Sequence, residues 1–309
     1  MRVRAVRLIS SAIMLLGVGV CAVSLARLHE QQTIEWSRAP GVIAIGLAGV
    51  GCALAAMSFA WSRYLRALSG PGLSFPQSLH QVAMMLVGKY VPIMIGGVLA
   101  RVSDNAGRVG PGVVVLATLA EQLGAVLAAL AIGAIAYALA LIPSILPLLV
   151  ATQLLGYRMI PIIVQRLMEW LSLLLRKRFR SIPASLPVLR PSDLRAAIAL
   201  QFVQWLGLGV FVAATAVLVM PGVSSVTLLV ICGAYATAVV VGIAVVVLPG
   251  GLGVREAAFV GLSASALAPQ DALQLALALR IAMSGFDVFA FLVNLSIRVI
   301  CAKRRLPRQ

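Results

Sequence analysis

Apolar residues run along this chain in unbroken stretches of about 20, the length that spans a bilayer as a helix. They lack the strict alternation that a barrel strand requires. The pattern predicts helices over 8–26, 41–61, 111–140, 142–164, 194–219, 223–248, 252–268 and 272–299. The 111–140 run is longer than one upright crossing needs, so it is expected to be tilted or broken. Backbone N–H and C=O groups in hydrocarbon must be satisfied within their own segment, which favours helices throughout. The expected fold is one all-α membrane domain over 1–309 with eight transmembrane helices.

One further apolar stretch, 76–103, does not fit a simple crossing. Lys89 lies at its centre, Pro92 follows, and Gly96 and Gly97 come next. A lipid-facing helix would carry a costly ammonium at mid-depth, and Pro92 would leave a carbonyl without its helical partner. A re-entrant or broken segment among other helices removes both difficulties. A second interruption of the same kind, Pro249-Gly250-Gly251-Leu252-Gly253, opens the run toward Leu267.

Composition agrees with this architecture. Hydrophobic residues make up 61% and charged residues 11% of the 309 positions, with mean hydropathy +1.05; a soluble domain carries roughly 25% charged residues. No long polar stretch leaves room for an extramembrane catalytic domain. The net charge of +16 sits in short loops beside apolar runs, where orientation bias accounts for it better than nucleic-acid binding does. Both termini and the basic 165–192 loop are therefore expected on the cytoplasmic side of a bacterial inner membrane. Within that loop, 165–180 is expected to form an interfacial helix, either anchoring topology or recognising anionic lipid. The N-terminal MRVRAVR and its apolar run look like a signal sequence, but the run is long enough to remain as a first span. The four cysteines have neither metal-ligand nor disulfide spacing, and only two histidines are present. No cofactor or metal is expected, and no catalytic constellation is recognisable.

Candidate chemistry gathers at the two breaks. Gly88, Lys89, Tyr90, Pro92, Gly96 and Gly97 lead to Arg101 at the first; Pro249, Gly250, Gly251 and Gly253 lead to Arg255 and Glu256 at the second. Paired interruptions, one per half of a chain, point to a transport site at discontinuous helices. Broken helix ends expose N–H groups with partial positive charge, and an adjacent Lys or Arg adds a full one. Such a place suits an anion, and the abundant anion of a membrane is a phosphate headgroup. Lys89, Tyr90, Arg101 and Arg255 are the candidate headgroup ligands; for the second break, a plain connecting turn is the alternative.

Glu121 and Asp287 lie inside apolar runs, where a carboxylate must pair or face a cavity. They either seal the bundle with Lys89, Arg101, Arg255 or Arg280, or couple transport to a gradient. Glu256 either joins them or caps the helix it starts. Gln201, Gln204 and Trp205 line a cavity or bond neighbouring helices.

GKYVP followed by Arg101, Glu121 in the next span, and LPGGLGVRE together resemble the flippase-like membrane domain of the lysylphosphatidylglycerol synthase transmembrane family. The resemblance runs along nearly the whole chain, with LPGGLGVRE its more specific part. Ile93 and Ala100 stand where members often carry Gly. The resemblance implies a helical bundle that flips phospholipid or handles polyprenyl-linked lipid, with membrane lipids as partners. It also allows a non-transporting scaffold for an envelope glycosyltransferase or lipid-modifying enzyme. The chain ends at Gln309 without the aminoacyl-transferase domain of full-length synthases, so lysyl transfer is not expected of it alone. Oligomeric state is open.

Overall fold

The computed structural model describes residues 39–89, 95–176, 190–244, 251 and 253–305, and every described element is helical. In chain order these are α1 (Ala39–Ser69), α2 (Phe75–Gly88), α3 (Ile95–Asp104), α4 (Pro111–Leu141), a 3₁₀ turn at Pro143–Ile145, α5 (Leu146–Arg176), α6 (Pro191–Val219), α7 (Ser225–Ala244), α8 (Val254–Ser263) and α9 (Pro269–Arg305). Five of the eight expected spans appear as helices long and apolar enough to cross a membrane: α1, α4, α6, α7 and α9 over Pro269–Ser296. The 8–26 span lies outside the described residues.

One expectation is narrowed and two are revised. The 111–140 run is a single helix of 31 residues, unbroken, and about 46 Å long, so it is tilted or protrudes. Residues 165–176 are no separate interfacial helix; they continue the 31-residue α5, which begins in the 142–164 run. Trp170 and Leu173 on that stretch are exposed. The 252–268 run holds only the ten-residue α8, about 15 Å, half the hydrocarbon thickness. Gly261 to Leu267 then turn the chain into α9.

The first broken segment is an antiparallel helical hairpin. Gly88 meets Gly97, Gln81 meets Arg101 and Asn105, and His80 meets Asp104. Position sums near 184 run along the whole pair, so α3 returns beside α2 to the end where α2 began. Fourteen and ten residues reach about 21 and 15 Å, too short for either to cross. Glycine makes this approach possible. A Cβ on Gly88 would lie 2.4 Å from the Gly97 nitrogen, and one on Gly97 would lie 2.6 Å from the Met85 sulfur. At the open end the Ser74 N–H donates to Gln77 Oε1 at 3.2 Å, and Pro76 sits in the first turn, where its missing N–H is harmless.

The most extensive helix pair is α1 on α6. It too is antiparallel: Gly46 faces Ala214, Gly49 faces Gly207, Tyr64 bonds Gln201, and Arg66 reaches Asp193. At the crossing the two backbones touch reciprocally. A Cβ on Gly49 would lie 2.6 Å from the Gly207 oxygen, and one on Gly207 would lie 2.5 Å from the Gly49 oxygen. Small residues at such crossings let membrane helices gain dispersion contacts where no hydrophobic drive exists. Two buried apolar clusters flank the crossing. One centres on Trp61, Leu65, Leu116 and Ile198 near the hairpin mouth; the other centres on Ile231, Phe259, Leu275 and Leu279.

Gly49→Ala is expected to destabilise the protein by about 1–3 kcal/mol through overpacking. Gly51→Ala, which points into open space, is expected to leave stability unchanged or raised. Thermal unfolding followed by tryptophan fluorescence in detergent distinguishes them, and equal behaviour of the two variants refutes the crossing.

Candidate functional site

Two charge networks occupy the bundle interior, and they differ in kind. The first is closed. Arg101 rises from α3 and Glu121 from α4; they are 1% and 6% exposed. Arg101 Nη1 donates to Glu121 Oε2 at 2.5 Å and Nη2 to Oε1 at 3.3 Å, a two-pronged pair. Nη1 also meets Thr118 Oγ1 at 3.4 Å, and Nε points to the Gln81 carbonyl at 3.5 Å. The guanidinium lies flat over Trp61 of α1, 3.7 Å from the ring centre. Trp61 Nε1 and Asn105 Nδ2 both donate to Gln81 Oε1, at 2.8 and 3.0 Å. Gln201 of α6 donates to the Glu121 carbonyl at 2.7 Å and accepts from Tyr64 Oη at 2.8 Å. One arginine thus binds α1, α2, α3 and α4 together, with α6 tied to the same acid's backbone.

The second network is more open and lies where the hairpin tip meets α7, α8 and α9. Lys89 caps the C-terminus of α2. Its Nζ pairs with Asp287 Oδ2 at 2.6 Å; the lysine side chain is 31% exposed and the aspartate wholly buried. Arg280 of α9 donates to Glu256 Oε1 of α8 at 2.6 Å. The other Glu256 oxygen accepts the Gly253 N–H at 2.7 Å, so Glu256 both caps α8 and holds Arg280. Gly251 and Gly253 have φ of +66° and +80°, a backbone region that L side chains rarely adopt. Gly251 also packs on Gly242, where a Cβ would lie 2.9 Å from its Cα. These glycines bring α8 back against α7 and place Arg255 over the Tyr235 ring, 4.5 Å from its centre. Arg255 and Arg280 are near enough for their charges to act on Lys89. A cavity of about 10 Å³ between Tyr235, Arg255, Phe259, Leu279 and Arg280 matches the space of one water centre.

Three cations (Lys89, Arg255, Arg280) therefore share this place with two carboxylates (Glu256, Asp287). Among the described residues, Arg255 has no carboxylate partner. A half-buried surplus positive charge attracts negative charge.

The candidate residues sort accordingly. Lys89 and Arg255, expected as ligands, do converge, with Asp287 and Glu256 beside them. Arg101 does not join them: it is enclosed and bonded to Glu121, so the headgroup role expected of it is replaced by a structural lock. Gly88, Gly97, Gly251 and Gly253 serve close approach or turns, and Gly96 lies in the first turn of α3. Tyr90, Pro92, Pro249 and Gly250 lie outside the described residues. Gln201 and Trp205 bond neighbouring helices; Trp205 Nε1 donates to the Ala125 carbonyl at 2.9 Å. Gln204 is buried on the same helix.

Trp61, Gln81 and Tyr235 complete these networks without being among the candidates read from sequence. Their only signal was a polar or aromatic group within an apolar helix, a pattern shared with many residues that merely fill space.

A third set of pairs marks one face of the bundle. Arg63 and Arg66, at the end of α1, both reach Asp193 at the start of α6. Asn294 Nδ2 donates to His80 Nδ1 at 2.7 Å, and His80 Nε2 faces Asp104 at 3.0 Å. Comparison of the chain with known protein families and with characterised proteins returned no match.

Arg101→Ala, which strands a buried carboxylate, is expected to cost about 3–5 kcal/mol. Arg255→Gln removes no ion pair among the described residues and is expected to change stability by less than about 1 kcal/mol. Denaturant titration of the purified protein measures both; similar losses would erase the distinction between lock and receptor.

Proposed function

We propose that this protein is a multi-pass inner-membrane flippase or transporter for a lipid with an anionic, phosphate-bearing headgroup. The observation that carries this reading is the surplus cation Arg255, half-buried beside the Lys89–Asp287 and Arg280–Glu256 pairs at the meeting point of two broken helical segments. Arg presents a planar fork that matches two phosphate oxygens, whereas Lys acts as a point charge. The resemblance of GKYVP and LPGGLGVRE to the flippase-like family favours the same substrate class. An even number of crossings keeps both termini cytoplasmic, in line with the basic clusters at 2–7, 63–66, 176–180 and 303–308. That number is six if the second broken segment turns back, which the short α8 favours because ten residues reach only about half the hydrocarbon thickness.

A second reading is a scaffold that holds a glycosyltransferase or lipid-modifying enzyme at the membrane. The closed Arg101–Glu121 network supports it, since a sealed bundle needs no path for a substrate. On this reading a cytoplasmic partner co-purifies with the protein and is lost when Arg176, Lys177, Arg178 and Arg180 are neutralised.

The transport reading is tested in reconstituted vesicles with a fluorescent anionic phospholipid. Arg255→Gln is expected to slow translocation at least about tenfold and Arg255→Lys to restore part of it, because a point charge replaces the fork. The neutral double variant Lys89→Met/Asp287→Asn is expected to fold and to be slow as well. Wild-type rates in both neutralised variants would refute the assignment.

A further inference from the structure

The order of elements repeats. Residues 39–141 give a long helix (31 residues), a helix ending at a break (14), a ten-residue helix and a long helix (31). Residues 191–305 give the same series with 29, 20, 10 and 37 residues. Spatial neighbours repeat too: α2 packs on α3 as α7 packs on α8, and α4 on α7 as α9 on α2. Both fourth helices open with a proline. Each short helix is also tied to the long helix after it by an ion pair with reversed polarity: the buried Arg101 to Glu121 in the first half, the half-buried Glu256 to Arg280 in the second.

The halves are inverted, because α1 and α6 are antiparallel about Gly49 and Gly207. The first hairpin opens on the face marked by Arg63, Arg66 and Asp193, where α1 ends, α6 begins and His80 meets Asp104. α6 then carries the chain to the opposite face. There α7 starts, α8 ends, and Tyr137 near the end of α4 bonds the Leu262 carbonyl at 2.9 Å. α7 and α8 are antiparallel as well: Gly242 faces Gly251, while Tyr235, further back along α7, faces Arg255. α9 returns to the first face, where Asn294 meets His80.

We propose that residues 39–141 and 191–305 form an inverted repeat whose two hairpins enter from opposite faces, and that the Lys89–Asp287 pair is a latch between the first hairpin tip and the second half, opened by a phosphodiester monoanion that binds Arg255 and competes with Asp287 for Lys89. This rests on the transport reading and adds to it the site's position, charge and latch. The charge class follows from neutrality. Among the described residues three cations and two carboxylates leave one positive charge, and a group with one negative charge completes the set. A phosphomonoester with nearly two would leave an uncompensated charge in a poorly solvated place. Lys89 is the member able to change partners: it is partly exposed and stands at the end of its helix, whereas Arg280 is enclosed and held by an acid that also caps α8. Competition for Lys89 loosens the hairpin tip from α9 only as far as the anion prefers the opened arrangement.

Two measurements test this without any transport readout, so their failure is separate from that of the flippase reading. In a background with the native cysteines replaced by serine, the exposed Ser103 and Ser265 are changed singly to cysteine and labelled with a membrane-impermeant maleimide on intact spheroplasts. Ser265→Cys is expected to label directly and Ser103→Cys only after permeabilisation; labelling of both from the same side overturns the inverted repeat. In the second, native mass spectrometry of the full chain compares a phosphatidylglycerol-type lipid, a phosphatidate-type lipid and inorganic phosphate. Wild type is expected to favour the phosphodiester. Asp287→Asn adds one net positive charge and is expected to shift the preference toward phosphatidate at least about tenfold. Arg255→Gln, which needs no lost ion pair to fold, is expected to weaken both lipids at least about tenfold. An unchanged preference in Asp287→Asn, or undiminished lipid binding in Arg255→Gln, overturns the latch and its charge class. Inorganic phosphate binding as tightly as the lipid overturns a lipid source.

Discussion

Arg101 and Glu121 set the terms for the half of the bundle around them. A guanidinium and a carboxylate removed from water each lose solvation worth several kcal/mol, and their attraction repays it only with good geometry and other hydrogen bonds. The geometry here is two-pronged, and the remaining donors reach Thr118 and the Gln81 carbonyl while Trp61 covers the face. The pair and these partners come from four helices, so each helix is constrained in depth and rotation. Gln81 can serve Arg101 only if α2 ends soon after and α3 turns back beside it. That return requires Gly88 and Gly97 to let backbones meet at a distance no Cβ permits. The broken segment is therefore the backbone solution that lets a buried charge pair be satisfied.

The second network has similar residue types and a different balance. Glu256 is committed twice, to Arg280 and to the first turn of α8, and Asp287 is committed to Lys89. Arg255 is left with an aromatic face. A cation over a tyrosine ring is held by roughly 0.5–2 kcal/mol, less than a desolvated guanidinium forgoes. One network is thus saturated and serves stability, while the other carries a standing demand for negative charge. That difference, and not burial alone, distinguishes the two networks in a membrane interior where every charge is conspicuous.

Much of the fold was legible because hydrocarbon imposes simple rules. Run length found α1, α4, α6, α7 and α9, and the misfit of Lys89 and Pro92 with a lipid-facing helix identified the segment that turns back. Sequence went wrong where the answer depends on which face of a helix meets which neighbour. Arg101 and Arg255 looked equivalent, each a cation just after a glycine-rich break. The difference lies in partners that are remote in sequence: Glu121 is 20 positions from Arg101, and Asp287, which answers Lys89, is 198 positions from it. Run length also misjudged 252–268, because an apolar stretch of adequate length says nothing about a turn at its centre. Past Ser263 the chain turns rather than continuing as a helix, so only ten residues of that stretch are helical.

The reversed polarity of the two intrahalf ion pairs explains why similar backbones hold unlike sites. In the first half the arginine sits on the short helix and the acid on the long one; in the second the acid sits on the short helix, one residue after Arg255. An acid in the first turn of α8 has a second use, because it caps the N–H groups there. It can therefore stabilise the helix and bind Arg280 together, leaving the neighbouring arginine over. In the equivalent short helix of the first half Arg101 stands in the last turn, where a cation suits the helix dipole. Helix polarity thus lets the first pair close on itself and lets the second end with one positive charge to spare. Among the described residues no further carboxylate answers that surplus, and a lipid-tethered group with a single negative charge would reach this depth more readily than a free ion.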